Sequence, residues 1–82
     1  MLLVYERTDL GTMVPIATAK DRLYRELFET LRKHKPLREN PYYELFRESP
    51  LGRTFICSGF GKSHEDSLNE LIDKFYKRKG NG

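Results

Sequence analysis

Cysteine and histidine are scarce in this chain of 82 residues, and tryptophan is absent. The single cysteine, Cys57, has no partner for an intramolecular disulfide, which is typical of a protein from a reducing compartment. The two histidines, His34 and His64, stand apart, and no Cys-x-x-Cys or His-x-x-x-His spacing occurs. The sequence therefore predicts no metal site and no cofactor, and we expect both histidines to face solvent.

Long hydrophobic runs are also missing. The apolar segment at the start, Met1 to Tyr5, is too short for a signal peptide, because Glu6 and Arg7 follow it directly. No segment approaches the roughly 20 apolar residues that a membrane span needs. We therefore expect a soluble, cytoplasmic protein that does not bind membranes.

Recognisable catalytic motifs are lacking as well. Gly61-Lys62-Ser63 matches the end of a phosphate-binding P-loop, but the glycine required five residues earlier is replaced by Ile56. No pair of acidic residues lies in an apolar segment that would separate their pKa values for acid-base chemistry. The sequence therefore predicts that the protein is not an enzyme.

What the chain does contain is the composition of a globular domain. Hydrophobic residues make up 38% of the sequence and charged residues 33%, and there are five tyrosines and five phenylalanines. A chain of this length can bury only one core, so we expect a single domain over residues 1–82. The formal net charge is +3, which permits an anionic partner.

Two turn sequences are near copies of each other. Thr8-Asp9-Leu10-Gly11 and Ser49-Pro50-Leu51-Gly52 each place a hydroxyl, a turn former, leucine and glycine between segments of strand character. A glycine at the last position favours the positive φ of a bulged hairpin. We therefore predict two β-hairpins, with positive φ at Gly11 and Gly52. Pro15 cannot donate a ladder hydrogen bond, so its strand should lie at an edge or contain a bulge.

A helix is predicted behind each hairpin. Thr18 to Asp21 and Ser63 to Asp66 each combine a capping hydroxyl with an acid in the first turn. The first helix should end before Pro36 and the second before Gly80. Apolar residues at helical spacing give each helix one buried face: Leu23, Leu27, Phe28 and Leu31 in the first, and Leu68, Leu71, Ile72 and Phe75 in the second.

These elements predict an α+β fold of two ββα units (ββα-ββα). A shift of 41 residues superposes the two hairpins, and a shift of 44 or 45 superposes the helices. The units span residues 1–35 and 42–79, residues 36–41 form the linker, and residues 80–82 form a disordered tail. One ribbon with one helix is marginal alone, so we expect one four-stranded antiparallel sheet with both helices on one face.

Basic residues gather at both predicted helix ends and before the second helix. Cations at a helix C-terminus complement the helix dipole, which is a sufficient structural explanation. Paired basic patches at equivalent helix ends would also fit a phosphate backbone. On the second interpretation the protein is a small nucleic-acid-binding or regulatory module, and its binding residues are Arg32, Lys33, Lys35, Arg38, Lys62, Lys74, Lys77, Arg78 and Lys79.

The surplus of aromatic residues favours an alternative function. If Phe55 and Cys57 face the helices, alternation places Thr54, Ile56, Ser58 and Phe60 on a sheet face that no third layer covers. Such a face fits a protein partner or a second copy of the chain. The alternative is therefore a protein-interaction module, an inhibitor or adaptor of the kind found on mobile elements. It would bind through Tyr42, Ile56 and Phe60.

Overall fold

Four antiparallel strands form one sheet in the order β2-β1-β3-β4, and two helices pack against it. The computed structural model describes residues 1–81, the last two by their backbone alone. The predicted α+β class with a four-stranded antiparallel sheet is confirmed. The elements in chain order are β1 (Leu2–Arg7), β2 (Met13–Ala19), α1 (Tyr24–Lys33), β3 (Tyr42–Ser49), β4 (Gly52–Phe60) and α2 (His64–Asn81).

Both hairpin turns depend on a glycine with positive φ. Gly11 has a φ of 85° and Gly52 a φ of 135°, which confirms the prediction at both positions. The first turn is closed by the N–H of Gly11, which donates to the carbonyl of Thr8 at 3.0 Å. In the second turn the Ser49 hydroxyl accepts from the N–H of Leu51 at 3.2 Å.

The two central strands pair around Val4 and Leu45, which lie directly opposite each other. Each outer strand carries one bulge. The pairing of β1 with β2 shifts between Val4 and Tyr5, and that of β3 with β4 shifts between Leu45 and Phe46. The bulged strand β2 contains Pro15 and is at the sheet edge, as its missing N–H requires.

The bulge in β4 reverses the predicted orientation of two side chains. Cys57 pairs with Leu45 and Phe55 pairs with Phe46, so Ile56 is the extra residue between them. The prediction placed Phe55 toward the helices and Ile56 on the open face, and this was wrong. Ile56 is buried in the core, whereas Phe55 is 45% exposed and packs against Phe46. One inserted residue shifts the alternation of every residue on one side of it.

The first helix begins later than predicted. Thr18 and Ala19 belong to β2, where they pair with β1, and α1 starts at Tyr24 with no side-chain cap. The cap prediction at Thr18 was wrong because the sheet ladder takes up this backbone. In α2 the predicted cap is present, since the Ser63 hydroxyl accepts from the N–H of Asp66 at 3.2 Å. The helix continues to Asn81, beyond the predicted end, and the remaining tail residue, Gly82, lies outside the described residues.

The core forms where the apolar faces of the helices meet the sheet. Helix α1 packs against β2, helix α2 packs against β3 and β4, and the helices contact each other. Phe28 and Phe75 join the helices edge to face, with ring centroids 5.4 Å apart. Close approach of α2 requires Gly59, because a Cβ there would overlap the backbone of Ser67 and lie 2.8 Å from the nitrogen of Leu71. The fully buried core side chains include Leu2, Val4, Leu27, Leu31, Leu45 and Leu71.

Candidate functional site

The two predicted basic clusters lie at opposite ends of the helix pair. The rings of His34, after α1, and His64, at the start of α2, are 6.2 Å apart. At the other end, the ammonium of Lys79 donates to the hydroxyl of Tyr24 at 3.2 Å. The helices are therefore antiparallel. Lys79 lies 15 positions after His64 in α2, which corresponds to a rise of roughly 22 Å. The equivalent helix ends therefore do not lie side by side, and the two basic clusters occupy different parts of the surface.

A cleft gathers the C-terminal cations of α2 with two arginines that the sequence prediction omitted. The cleft has a volume of about 660 Å³ and lies between the end of α2, the start of α1 and the strands β3 and β4. Its aromatic walls include Tyr24, Phe55 and Phe75. We call this the cationic cleft, because four cations line it: Arg22, Arg47, Arg78 and Lys79.

One acid lies in the cationic cleft, and it is already paired. The N-terminal ammonium is 2.6 Å from the carboxylate of Asp21, and the guanidinium of Arg47 is 3.7 Å from it. The hydrogen bond from the N-terminus lowers the pKa of Asp21, so this carboxylate stays ionised and occupied. Arg22 and Arg78 form no ion pair within residues 1–81, which leaves their charges available to a ligand.

A narrower groove continues from the cleft along the edge strand β4. It has a volume of about 330 Å³ and shares Phe55, Ile56 and Arg78 with the cationic cleft. Lys74 and Lys77 line its helical side. Both lysines also pair with acids one turn earlier in α2, at 2.8 and 3.1 Å. Exposed pairs of this kind are weak, so a phosphate can compete for these lysines.

The basic residues around the end of α1 line neither the cationic cleft nor the groove beside it. Arg38 pairs with Asp9 at 2.9 Å, and Arg32 lies 3.7 Å from Glu29. Lys33, Lys35 and Lys62 are exposed. The predicted set therefore divides into two groups, with Lys74, Lys77, Arg78 and Lys79 at one end of α2 and Arg32, Lys33, Lys35, Arg38 and Lys62 toward the other.

Aromatic rings occupy the sheet face opposite Val4 and Leu45. Tyr5 and Phe46 each follow one of these core residues and therefore point the other way, and their rings meet edge to face at 5.6 Å. Phe46 also contacts Phe55 at 5.6 Å. On the same face the predicted residues Tyr42 and Phe60 pair across the strands, with their rings 6.3 Å apart. We call this surface the aromatic face, formed by Tyr5, Tyr42, Phe46, Phe55 and Phe60.

Arginines lie over the rings of the aromatic face. The guanidinium of Arg7 is 4.4 Å from the ring centre of Tyr42, and that of Arg53 is 5.1 Å from the ring centre of Tyr5. These distances are within the range of cation-π attraction. Arg53 is also paired with Glu48 at 3.2 Å, and Glu44 lies on the same side of β3 as Tyr42 and Phe46, so two carboxylates balance the two arginines of this face.

A buried polar cluster contains both histidines. Glu6 is fully buried, and its carboxylate is 2.6 Å from Nε2 of His34 and accepts from the N–H of Leu37 at 2.7 Å. The hydroxyl of Tyr43 is 2.6 Å from Nδ1 of His64. Burial, and then the charge of Glu6, raise the pKa of the Tyr43 hydroxyl far above its usual value. The expectation that both histidines face solvent was wrong.

This cluster connects parts of the chain that are distant in sequence. It ties β1, the segment after α1, β3 and the start of α2 to one another. Nε2 of His64 is buried and lacks a hydrogen-bond partner among the described residues. No group of three or more His, Cys, Asp or Glu side chains within residues 1–81 has the arrangement of a metal site.

Cys57 is buried in the sheet beneath α2. Its thiol donates to the carbonyl of Leu71 at 3.6 Å. Burial raises the pKa of this thiol to about 11, so the reactive thiolate is scarce at neutral pH. Cys57 is 5% exposed and is a small core residue.

The residues that sequence reasoning missed have weak local signals. Arg22 lies in the turn before α1 and Arg47 lies on β3, so only the fold brings them close to Arg78. Phe55 was assigned to the core because its bulge cannot be recognised without its partner strand.

Comparison of the chain with protein-family models, with curated proteins and with solved structures finds no match in any of the three. Within residues 1–81 no helix has both the length and the apolar character needed to cross a membrane.

Proposed function

We propose that this protein is a non-enzymatic nucleic-acid-binding module that holds phosphates in the cationic cleft. The observation that carries the proposal is the convergence of Arg22, Arg47, Arg78 and Lys79 on one cleft with aromatic walls. Arginine binds phosphate oxygens through two parallel hydrogen bonds, and clustered cations gain further from the release of counterions. The groove with Lys74 and Lys77 extends the same positive surface along β4.

The balance of charge in the cleft favours an anionic ligand. Four cations stand against Asp21, whose carboxylate is held by the N-terminus and Arg47. The whole chain has a net charge of only +3, so the cleft is much more positive than the average surface. Local concentration of charge, more than net charge, determines where a polyanion binds.

We further infer that the chain consists of two ββα units, residues 1–35 and 42–79, with both helices on the same face of the sheet. The pairing of β1 with β3 supports this, because Val4 and Leu45 lie opposite each other and are also the residues that the shift of 41 superposes. Both hairpins also carry their bulge at the corresponding position. The contact between Phe28 and Phe75 supports a common helical layer. This arrangement leaves the aromatic face without a covering element.

Protein interaction is the second candidate function, and exposed apolar residues favour it. Phe60 is 51% exposed on the aromatic face, and at the hairpin tips Leu10 is 91% and Leu51 99% exposed. Apolar side chains in such positions fit a homodimer, or the target of an inhibitor or adaptor. Sedimentation at increasing protein concentration distinguishes a homodimer from binding to a different protein. A dimer that dissociates in the variant Phe60→Glu would support this candidate function, and a strict monomer would exclude the homodimer.

Salt-dependent binding of short nucleic acids tests the proposal. Affinity for 20-nucleotide single strands and duplexes would be measured at 50 and 200 mM NaCl. Four phosphate contacts predict a loss of roughly 50-fold in single-strand affinity over this range. Absence of binding at 50 mM, or binding that salt does not weaken, would refute the proposal.

A charge-reversal pair locates the binding surface. The double variant Arg22→Glu/Arg78→Glu removes two unpaired cations from the cleft, and we expect a loss of at least about tenfold in affinity. The matched control, Arg32→Glu/Lys33→Glu, makes the same change in charge at the end of α1, outside the cleft. Equal losses in both variants would mean that the cleft is not the binding site.

A further inference from the structure

The aromatic face and the cationic cleft meet at one residue. Phe55 lines the cleft with Arg78 and also contacts Phe46 on the sheet, with ring centroids 5.6 Å apart. A strand whose phosphates occupy the cleft therefore has its bases within reach of Phe55. From there the row of rings continues across the sheet through Phe46 to Tyr5.

We propose that the protein selects single-stranded over duplex nucleic acid by stacking unpaired bases on the aromatic face. The inference rests on the proposed function and adds the class of ligand. Base pairs in a duplex already stack on each other, so their faces cannot reach a ring, whereas a single strand can turn its bases outward. Phe55 and Phe60 are 45% and 51% exposed, which leaves ring surface for such contacts.

The polar side chains around the rings are suited to a single strand. The guanidinium of Arg53 lies over Tyr5 and that of Arg7 over Tyr42, and a base can stack on the outer side of each guanidinium plane. Arg7 forms no ion pair within the described residues, so its charge can attract the backbone of a strand that crosses the sheet, whereas Arg53 is paired with Glu48 at 3.2 Å.

Two acids lie on the same side of β3 as the rings, and one of them, Glu48, is paired with Arg53. Glu44 lies between Tyr42 and Phe46 on the same side of β3, since alternate residues of a strand share a face. A carboxylate repels phosphates, but it accepts a hydrogen bond from the amino group of an unpaired base. The bases, and not the backbone, are therefore expected to face the centre of this surface.

Paired binding measurements test the selectivity. The probe is a fluorescein-labelled 12-nucleotide DNA strand of mixed sequence, free or annealed to its complement, at 50 mM NaCl. We expect the free strand to bind about tenfold or more tightly than the duplex, since stacking of one base contributes roughly tenfold. An RNA strand of the same sequence reports whether the sugar matters.

Substitution of one ring identifies the surface responsible. Phe55→Leu keeps an apolar side chain but removes the flat ring, and it should lower the ratio of single-strand to duplex affinity by roughly fivefold or more. Leu51→Ala is the matched control, because Leu51 is 99% exposed at a hairpin tip outside the aromatic face. Circular dichroism verifies that both variants are folded.

The outcomes separate this inference from the proposed function. If free strand and duplex bind equally, or if Phe55→Leu leaves the ratio of the two affinities unchanged, while Arg22→Glu/Arg78→Glu still weakens binding, then the single-strand inference is wrong and the cleft proposal stands. If neither probe binds, both are wrong. A lower ratio of single-strand to duplex affinity in Phe55→Leu supports the inference.

Discussion

The substitution His34→Ala tests the pair formed by His34 and the buried carboxylate of Glu6. Glu6 is fully enclosed, and the 2.6 Å contact with Nε2 of His34 supplies its nearest side-chain partner among the described residues. Removal of the imidazole leaves the carboxylate with the N–H of Leu37 alone. A buried charge that loses one partner is strongly destabilising, because water cannot solvate it.

The magnitude follows from the burial of the two partners. Breaking a buried ion pair costs roughly 3–5 kcal/mol, and losing a buried neutral hydrogen bond costs about 1–3 kcal/mol. The side chain of His34 is itself 19% exposed, so water can enter part of the space that it vacates. We therefore expect His34→Ala to lower the free energy of unfolding by roughly 2–4 kcal/mol. A domain of this size has about 4–12 kcal/mol in total, so the variant should still fold.

Urea unfolding at pH 7 measures this loss, and a double-mutant cycle with Glu6→Gln assigns it. Glutamine keeps the shape of the side chain without the charge, so the double variant should be more stable than the sum of the single losses predicts, by about 1–3 kcal/mol. His64→Ala is the comparison variant, because it removes a hydrogen bond to the buried Tyr43 hydroxyl without affecting a carboxylate, and it should cost about 1–3 kcal/mol. A loss below 0.5 kcal/mol for His34→Ala, or strictly additive effects (~0 coupling), would refute the reasoning.

Three further predictions concern the glycines and the thiol. Gly11→Ala and Gly52→Ala should each lower the free energy of unfolding in urea by about 1 kcal/mol, because alanine is strained at positive φ. The loss should be no larger, since an added Cβ would meet nothing within 4 Å. Gly59→Ala should cost more, about 3 kcal/mol, since its Cβ would strike the backbone of α2; an equal loss at Gly11 and Gly59 would contradict this. Cys57 should react slowly with iodoacetamide at pH 8 and rapidly in urea, because burial raises the pKa of its thiol to about 11. The thiol of the unfolded chain ionises at a lower pH than the buried thiol does. Cys57 therefore stabilises the fold fully below the pKa of the unfolded thiol, and this stabilisation falls as the pH rises from there to about 11. Unfolding curves at pH 8 and 10.5 would detect the loss.

Local signals in the sequence predicted the elements of the fold. The turn glycines and the buried helix residues Leu27, Phe28 and Leu31 involve only neighbours within a few residues, and the structure confirms them. Leu23, predicted on the same stripe, precedes α1 and is 38% exposed. The start of α1 was wrong because Thr18 satisfies a capping pattern but pairs with β1 in the sheet. A strand partner supplied by the fold overrode a local preference.

The candidate site was predicted only in part. Lys74, Lys77, Arg78 and Lys79 were correctly grouped, because they lie on successive turns of one helix. Their combination with Arg22 and Arg47 depends on how α2 crosses the sheet, which no local pattern records. The function assigned to these residues stays a proposal.

The sequence alone determined that the chain forms two hairpins and two amphipathic helices, since φ preferences and apolar spacing act over a few residues. Only the tertiary structure decided which side chains those elements bring together. The bulge at Ile56 turned Phe55 outward, and the antiparallel helices separated the basic clusters. The same packing enclosed Glu6 with His34, although the two are 28 residues apart. Such contacts depend on strand register and helix direction, which are fixed by the whole core at once and not by any single segment.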